Sequence, residues 1–172
     1  MNADIWKERM RQWLENGDFD IILPEVAALR GVPQPPEFHP EGDAFVHTMQ
    51  AVAEVDDMED ERIFWGVILH DIGKKFTTEF VNGRWRSHGH PEAGAKLVYE
   101  ILVRLGVETI TEDVAWLVKH HHYHHTWNLK TGQELSKNQL KFTEHPLFPL
   151  LLKVCSADAA GRKPEPGSLT NQ

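Results

Sequence analysis

The chain is poor in cysteine. One residue in 172, Cys155, excludes an internal disulfide framework, and its place in an apolar helical run makes it a packing residue rather than a reactive thiol. No segment approaches the about 18 consecutive apolar residues that a membrane span needs. The N-terminal MNADIWKERM is charged and amphipathic and lacks the uninterrupted apolar core of a secretory signal, so the expected setting is the cytoplasm and no membrane partner is expected. There is no long basic run, and the net charge is −8. Tight binding of nucleic acid through its phosphates is therefore not the default. An acidic enzyme still handles a nucleotide where a bound metal supplies local positive charge. With 41% apolar residues the chain has enough material for one compact core.

Histidine is what the chain does have, eleven in all. Their placement follows from a coarse reading of elements. Residues 4–15 form an amphipathic helix with Ile5, Trp6, Met10, Trp13 and Leu14 on its apolar face. A turn or short helix follows from Pro24 to Leu29. Residues 31–43, dense in Pro and Gly, are irregular. Helices are expected from Ala44 to Asp57 and from Asp60 to His70. Residues 76–89 break helical periodicity and form a loop over a site, turning at Asn82-Gly83. Pro91 opens a helix that runs to Leu105 and stops at Gly106. The next helix starts at Thr111 and reaches at least Tyr123, a loop surrounds Lys130-Thr131-Gly132, and the last helix runs from near Pro146 to near Gly161. Residues 163–172 are a loose tail. No repeat and no clear strand pattern is present. The expectation is an all-α, single-domain fold with a helical lead-in over 1–37 and the main body over 38–162.

Four helices carry a polar residue where their periodicity calls for an apolar one. The first buries Ala44, His47, Thr48, Ala51, Val52 and Val55. The second buries Ile63, Gly66, Val67, His70, Asp71 and Lys74. The third buries Val114, Leu117, Val118, His121, His122 and His125. The fourth buries Leu147, Leu150, Leu151, Val154, Cys155 and Asp158. An unpaired charge in a core costs several kcal/mol, on the order of a domain's whole stability. Taken singly, each position has a plain structural reading. His47 is a hydrogen-bonded core residue, Asp158 pairs with Arg162 at a helix end, and Lys74-Lys75 is a solvated patch. Taken together they are explained by a metal ion between the helices. Imidazole with carboxylate suits Mn, Fe, Co, Ni or Zn. The run from His120 through His121, His122, His124 and His125 is over-supplied, and helical phase selects His121 first.

These motifs resemble the HD superfamily of metal-dependent phosphohydrolases, whose pattern is a first His, a His-Asp pair and a distant Asp on helices. Here they are His47, His70-Asp71 in ILHDIGK, and Asp158 in SADAAGR. The phrases FHPEGDAFVHT, LHDIGK, HGHPEAG and SADAAGR are similar, in order and spacing, to the HD domain at the back of bacterial tRNA CCA-adding enzymes. The likeness spans about residues 38–162, and no nucleotidyltransferase head is expected within the first 37 residues. The resemblance implies one or two divalent transition metals, with Mg admissible. It implies a first ion on His47, His70, Asp71 and Asp158, and a second on Asp71, His90 and His121. The implied reaction is hydrolysis of a phosphate ester, as a nucleotide phosphatase or a 2′,3′-cyclic phosphodiesterase. In that reading Asp71 orients the attacking water, Lys74 and Arg162 hold phosphate, and His88 protonates the leaving group. The plain readings of the last two are a helix-end salt bridge for Arg162 and a solvent-exposed loop position for His88. The expected partner is a small phosphorylated substrate such as a nucleotide, with an RNA end as a variant, and the protein is a monomer or homodimer. Two other functions fit the same ligand set: a diiron oxygenase, and a non-catalytic nucleotide- or RNA-binding domain stabilised by metal.

Overall fold

The computed structural model describes residues 2–127 and 134–164. The proposed loop at 130–132 and most of the tail lie outside the described residues. Eleven α-helical segments are present among them: α1 (Ala3–Asn16), α2 (Phe19–Ile22), α3 (Pro24–Ala27), α4 (Ala44–Ala53), α5 (Glu61–Leu69), α6 (Lys74–Thr77), α7 (His90–Arg104), α8 (Thr111–His120), α9 (Tyr123–Thr126), α10 (Lys137–Thr143) and α11 (Phe148–Ala160). The all-α expectation holds, with one small exception. Strands β1 (Glu79–Val81) and β2 (Arg84–Arg86) form an antiparallel hairpin inside the stretch read as a loop. Three residues per strand are too few to leave a period-two pattern in the sequence. The turn between them is where Asn82-Gly83 places it, with both residues in the left-handed region at φ 51° and 79°.

Helix α5 is the centre. Every residue from Ile63 to Leu69 is buried, as a helix that is apolar all round requires. It packs against α4, α8, α11 and α1. Gly66 lets α11 approach, since a Cβ there would stand 3.0 Å from Val154 Cγ2. Helix α1 closes the far side: Trp6 meets Trp65 edge-on at 4.8 Å and donates from Nε1 to Glu61 Oε2 at 2.8 Å. Asp43 caps α4, accepting from the Phe45 and Val46 amides, and Asp60 caps α5 through the Arg62 amide.

Three boundaries differ from expectation, and each has a local cause. Helix α4 stops at Ala53, and the following chain turns at Asp56, whose carboxylate accepts from the Met58 amide. Helix α5 stops at Leu69, so His70 caps its C-terminus, Asp71 lies in the turn and Lys74 opens α6. Helix α8 stops at His120 and His121 caps it; the single long face through His125 does not form. Helix α10 was not anticipated. Its signal is the capping box in which Ser136 and Gln139 satisfy each other's backbone amides.

Gly73 is the tightest point of the fold. A Cβ there would lie 2.0 Å from the His90 carbonyl oxygen and 2.7 Å from the Gly94 amide. The contact is backbone against backbone, so no side-chain rotation relieves it. Gly73→Ala is expected to destabilise the protein by about 3 kcal/mol or more, read as a lowered midpoint in denaturant titration; an unchanged midpoint would contradict this packing.

Candidate metal centre

Helix ends deliver the side chains. His70 and His121 cap the C-termini of α5 and α8, and each imidazole folds back on its own last turn. His70 Nδ1 lies 2.6 Å from the Val67 carbonyl and His121 Nδ1 lies 2.7 Å from the Val118 carbonyl. Last-turn carbonyls have no partner within the helix, so they are natural acceptors. His90 repeats the device at the start of α7, with Nδ1 2.7 Å from the Ser87 carbonyl. A carbonyl only accepts, so each of these three rings carries its proton on Nδ1 when neutral. All three then present Nε2 as a lone pair.

Those lone pairs converge on Asp71. Its Oδ2 lies 3.1 Å from His70 Nε2 and 3.9 Å from His47 Nε2. Its Oδ1 lies 3.2 Å from His90 Nε2 and 3.9 Å from His121 Nε2. Asp158, on α11, completes the first set through Oδ1, 2.9 Å from His47 Nε2 and 3.9 Å from His70 Nε2. The two oxygens of one carboxylate thus face two histidine pairs. All six residues are buried.

This arrangement fits a metal on its own chemistry. His70 Nε2 and both Asp71 oxygens are buried without a hydrogen bond of acceptable geometry. His90 and His121 bring their Nε2 atoms within 3.2 Å, lone pair to lone pair in the neutral forms. A cation between them turns that repulsion into attraction. Donor atoms about 2.1 Å from one ion stand roughly 3.0–3.4 Å apart at right and tetrahedral angles, and the separations above bracket that range. The carbonyl ends of α5 and α8 also favour positive charge at this point.

Burial opposes the ionisation of Asp71, yet neighbouring His70 and Lys74 hold its carboxyl well below the usual range. Asp158 is likewise held low against burial, chiefly by His47. Burial also opposes charging of His47, but Asp158 and Glu41 outweigh it and raise this imidazole to about 9. Burial and neighbouring His122 and His70 keep His121 well below the imidazole range. His39 falls to about 4 through burial and Lys74, and His122 to about 3 through burial and His90.

The other predicted residues fall in different places. Lys74 is buried, with Nζ 2.7 Å from Asp71 Oδ2 and 2.6 Å from Gln34 Oε1. His88 is exposed on the wall of a cavity of about 580 Å³ that also includes Lys74, His90, Arg86, Trp85, Lys119, His122 and Trp127. Arg162 is absent from that wall; its Nη2 lies 3.4 Å from Asp158 Oδ1, the helix-end pairing of its plain reading. Within the histidine run, His121 is buried and His122 half-buried beside His90 and His121, while His124 and His125 are exposed. Cys155 is inert: its Sγ donates to the His121 carbonyl and burial pushes the thiol up to about 12. Sequence reasoning missed Gln34 and His39, both on the cavity wall. They sit in the irregular stretch before α4, where no periodicity marks which side chains turn inward.

The family model described as the HD domain matches residues 44–160. The chain belongs to the HD domain family. That superfamily consists mostly of metal-dependent phosphohydrolases. Curated relatives of this HD chain carry the name multifunctional CCA protein. The one from Pasteurella multocida is 35% identical over 158 residues, covering 86% of this chain and 37% of the relative. That from Alkalilimnicola ehrlichii is 33% identical, covering 92% and 42%, and that from Neisseria meningitidis is 36% identical, covering 86% and 36%. The chain therefore spans about two fifths of the length of these relatives. Among the described residues no helix is long and apolar enough to cross a membrane.

The shifted imidazoles imply a stability profile for the metal-free protein. His39, His121 and His122 resist protonation when folded, so their contribution is present above the unfolded value of 6.5 and is lost as pH falls below it. His47 acts oppositely: its contribution is full below 6.5 and is lost as pH rises through about 9. Thermal melts of chelated protein between about pH 4 and about pH 9 should peak near 6.5. Stability that climbs steadily to pH 9 would contradict the protonated His47.

Proposed function

We propose that this chain is a divalent-metal-dependent phosphohydrolase acting on a small nucleotide, as a phosphatase or a 2′,3′-cyclic phosphodiesterase. The observation that carries the reading is the convergence of four imidazole Nε2 atoms on the two oxygens of Asp71, three of them locked by backbone carbonyls. His47, His70, Asp71 and Asp158 would hold one ion, and Asp71, His90 and His121 a second, with His122 beside them. Mn, Fe, Co, Ni or Zn suits these donors. When bound, such ions supply Lewis-acid charge and an activated water.

The chain's own residues do the rest. Asp71, acceptor-only and held ionised, orients the attacking water. Lys74, on the cavity wall beside Asp71, would hold a substrate phosphate oxygen. Arg86 and Lys119 make the nearby wall basic although the chain as a whole is acidic. His88, at the exposed rim, holds a proton for the leaving group. Trp85 and Trp127 offer faces for a base to stack on. Arg162 keeps Asp158 in position. The relatives named for CCA support an RNA-derived or nucleotide substrate.

Metal content and hydrolysis of 2′,3′-cyclic AMP and of nucleoside monophosphates, before and after chelation and reloading, test the reading. One or two ions per chain are expected, with activity falling more than about 100-fold in His70→Ala and Asp71→Ala. Well-folded protein that takes up no metal on reloading would sink the proposal, and bound iron with oxygen uptake but no phosphate release would replace it with an oxygenase. Lys74→Ala should keep its metal and raise KM about 10-fold or more, the value of a charge-assisted phosphate contact; an unchanged KM would remove Lys74 from the phosphate site.

A further inference from the structure

His47 differs from the other three histidines. It is the fourth residue of α4, and the Ala44 carbonyl three residues earlier accepts from Thr48 Oγ1 and is not paired with this ring. Its Nδ1 instead lies 2.7 Å from Glu41 Oε1. That same oxygen accepts from His39 Nδ1 at 2.8 Å. Glu41 has a fully buried side chain, and burial opposes its ionisation, but the His47 imidazole beside it holds the carboxyl below its ordinary value. The carboxylate lies off the line of the His47 N–H, which leaves His47 Nδ1 and Glu41 Oε2 both buried and unpaired. A donor and an acceptor orphaned side by side are each other's complement, and a small rotation of ring or carboxylate pairs them.

The three residues His39, Glu41 and His47 are also close enough to suggest an ion of their own. The distances argue otherwise. Donor atoms around one ion stand about 3.0–3.4 Å apart, whereas 2.7 and 2.8 Å are hydrogen-bond lengths.

We propose that Glu41 is a positioning residue for the metal centre: it takes the His47 Nδ1 proton in a hydrogen bond, so that Nε2 faces Asp71 and Asp158. The inference rests on the metal-centre reading above. A carboxylate behind a ligating imidazole fixes its tautomer and raises its basicity. Glu41 and His39 precede residue 44, where the family match begins. The irregular segment before α4 therefore builds one side of the site, with Glu41 behind a ligand and His39 on the cavity wall.

The test reads metal binding, not turnover. Glu41→Gln is expected to weaken the binding of Mn or Zn by about 10–100-fold, with circular dichroism unchanged. Glu41→Ala is expected to lose as much and to recover part of it in added acetate. His39→Ala should bind metal within about twofold of the unaltered protein, because His39 shares the carboxylate without ligating. In unaltered protein loaded with cadmium, nitrogen NMR should find coupling at His47 Nε2 and a proton on Nδ1. Coupling at Nδ1 of His47 or His39, or full metal affinity in Glu41→Gln, would overturn the proposal. His70→Ala serves as the reference. If it loses metal while Glu41→Gln does not, only the role of Glu41 falls; if neither loses metal, the metal-centre reading falls with it.

Discussion

A fully buried carboxylate faced by four imidazoles is the constraint on which the rest of this protein depends. Asp71 has almost no solvent to share its charge, and in the metal-free arrangement Lys74 and His70 carry the compensation. The low-dielectric setting makes each of those interactions strong and makes any unpaired member costly. Divalent cations held as proposed, one by His47, His70, Asp71 and Asp158 and one by Asp71, His90 and His121, would satisfy the ring lone pairs between them. The surrounding helices are arranged to allow this: α5 and α8 end at the centre, α7 begins there, and α4 and α11 pass through it.

Rigidity follows from how the proposed ligands are held. Three rings hydrogen-bond to carbonyls three residues earlier in the chain, so their orientation is a property of a local turn rather than of a long side chain. The turns are packed in turn. Gly73 sits against the His90 backbone, which ties the His70-Asp71 turn to the start of α7. Gly161 meets the backbone of Ala51, which ties the end of α11 to α4. The paired histidines and carboxylates are thus fixed by backbone contacts that admit no side chain, and the centre inherits the stiffness of the core.

The cavity beside the centre has a different character. Its wall comes from the hairpin, from the segment before α4 and from the break between α8 and α9. The hairpin is tied to the segment before α4 by Arg84 and Glu37, 2.8 Å apart. Elements of this kind vary without disturbing the core, which is where substrate choice belongs on a helical scaffold.

Much was legible from the residues alone. The helices, the buried positions of His47, His70, Asp71, His121 and Asp158, and the turn at Asn82-Gly83 follow from periodicity and turn chemistry, because burial pattern and backbone preference are local properties of a sequence. The break at His121 was not legible, since a run of histidines carries no stop signal and α8 ends where the His121 ring folds back on the Val118 carbonyl. Nor were Gln34 and His39, whose segment has no period to show which side chains point inward. Only the tertiary structure decided that Asp71 divides its two oxygens between two histidine pairs, that Lys74 pairs with it, and that Arg162 turns to Asp158 and away from the cavity. The first is a set of distances mostly between residues far apart in the chain, and the other two are choices among neighbours within a turn that packing settles.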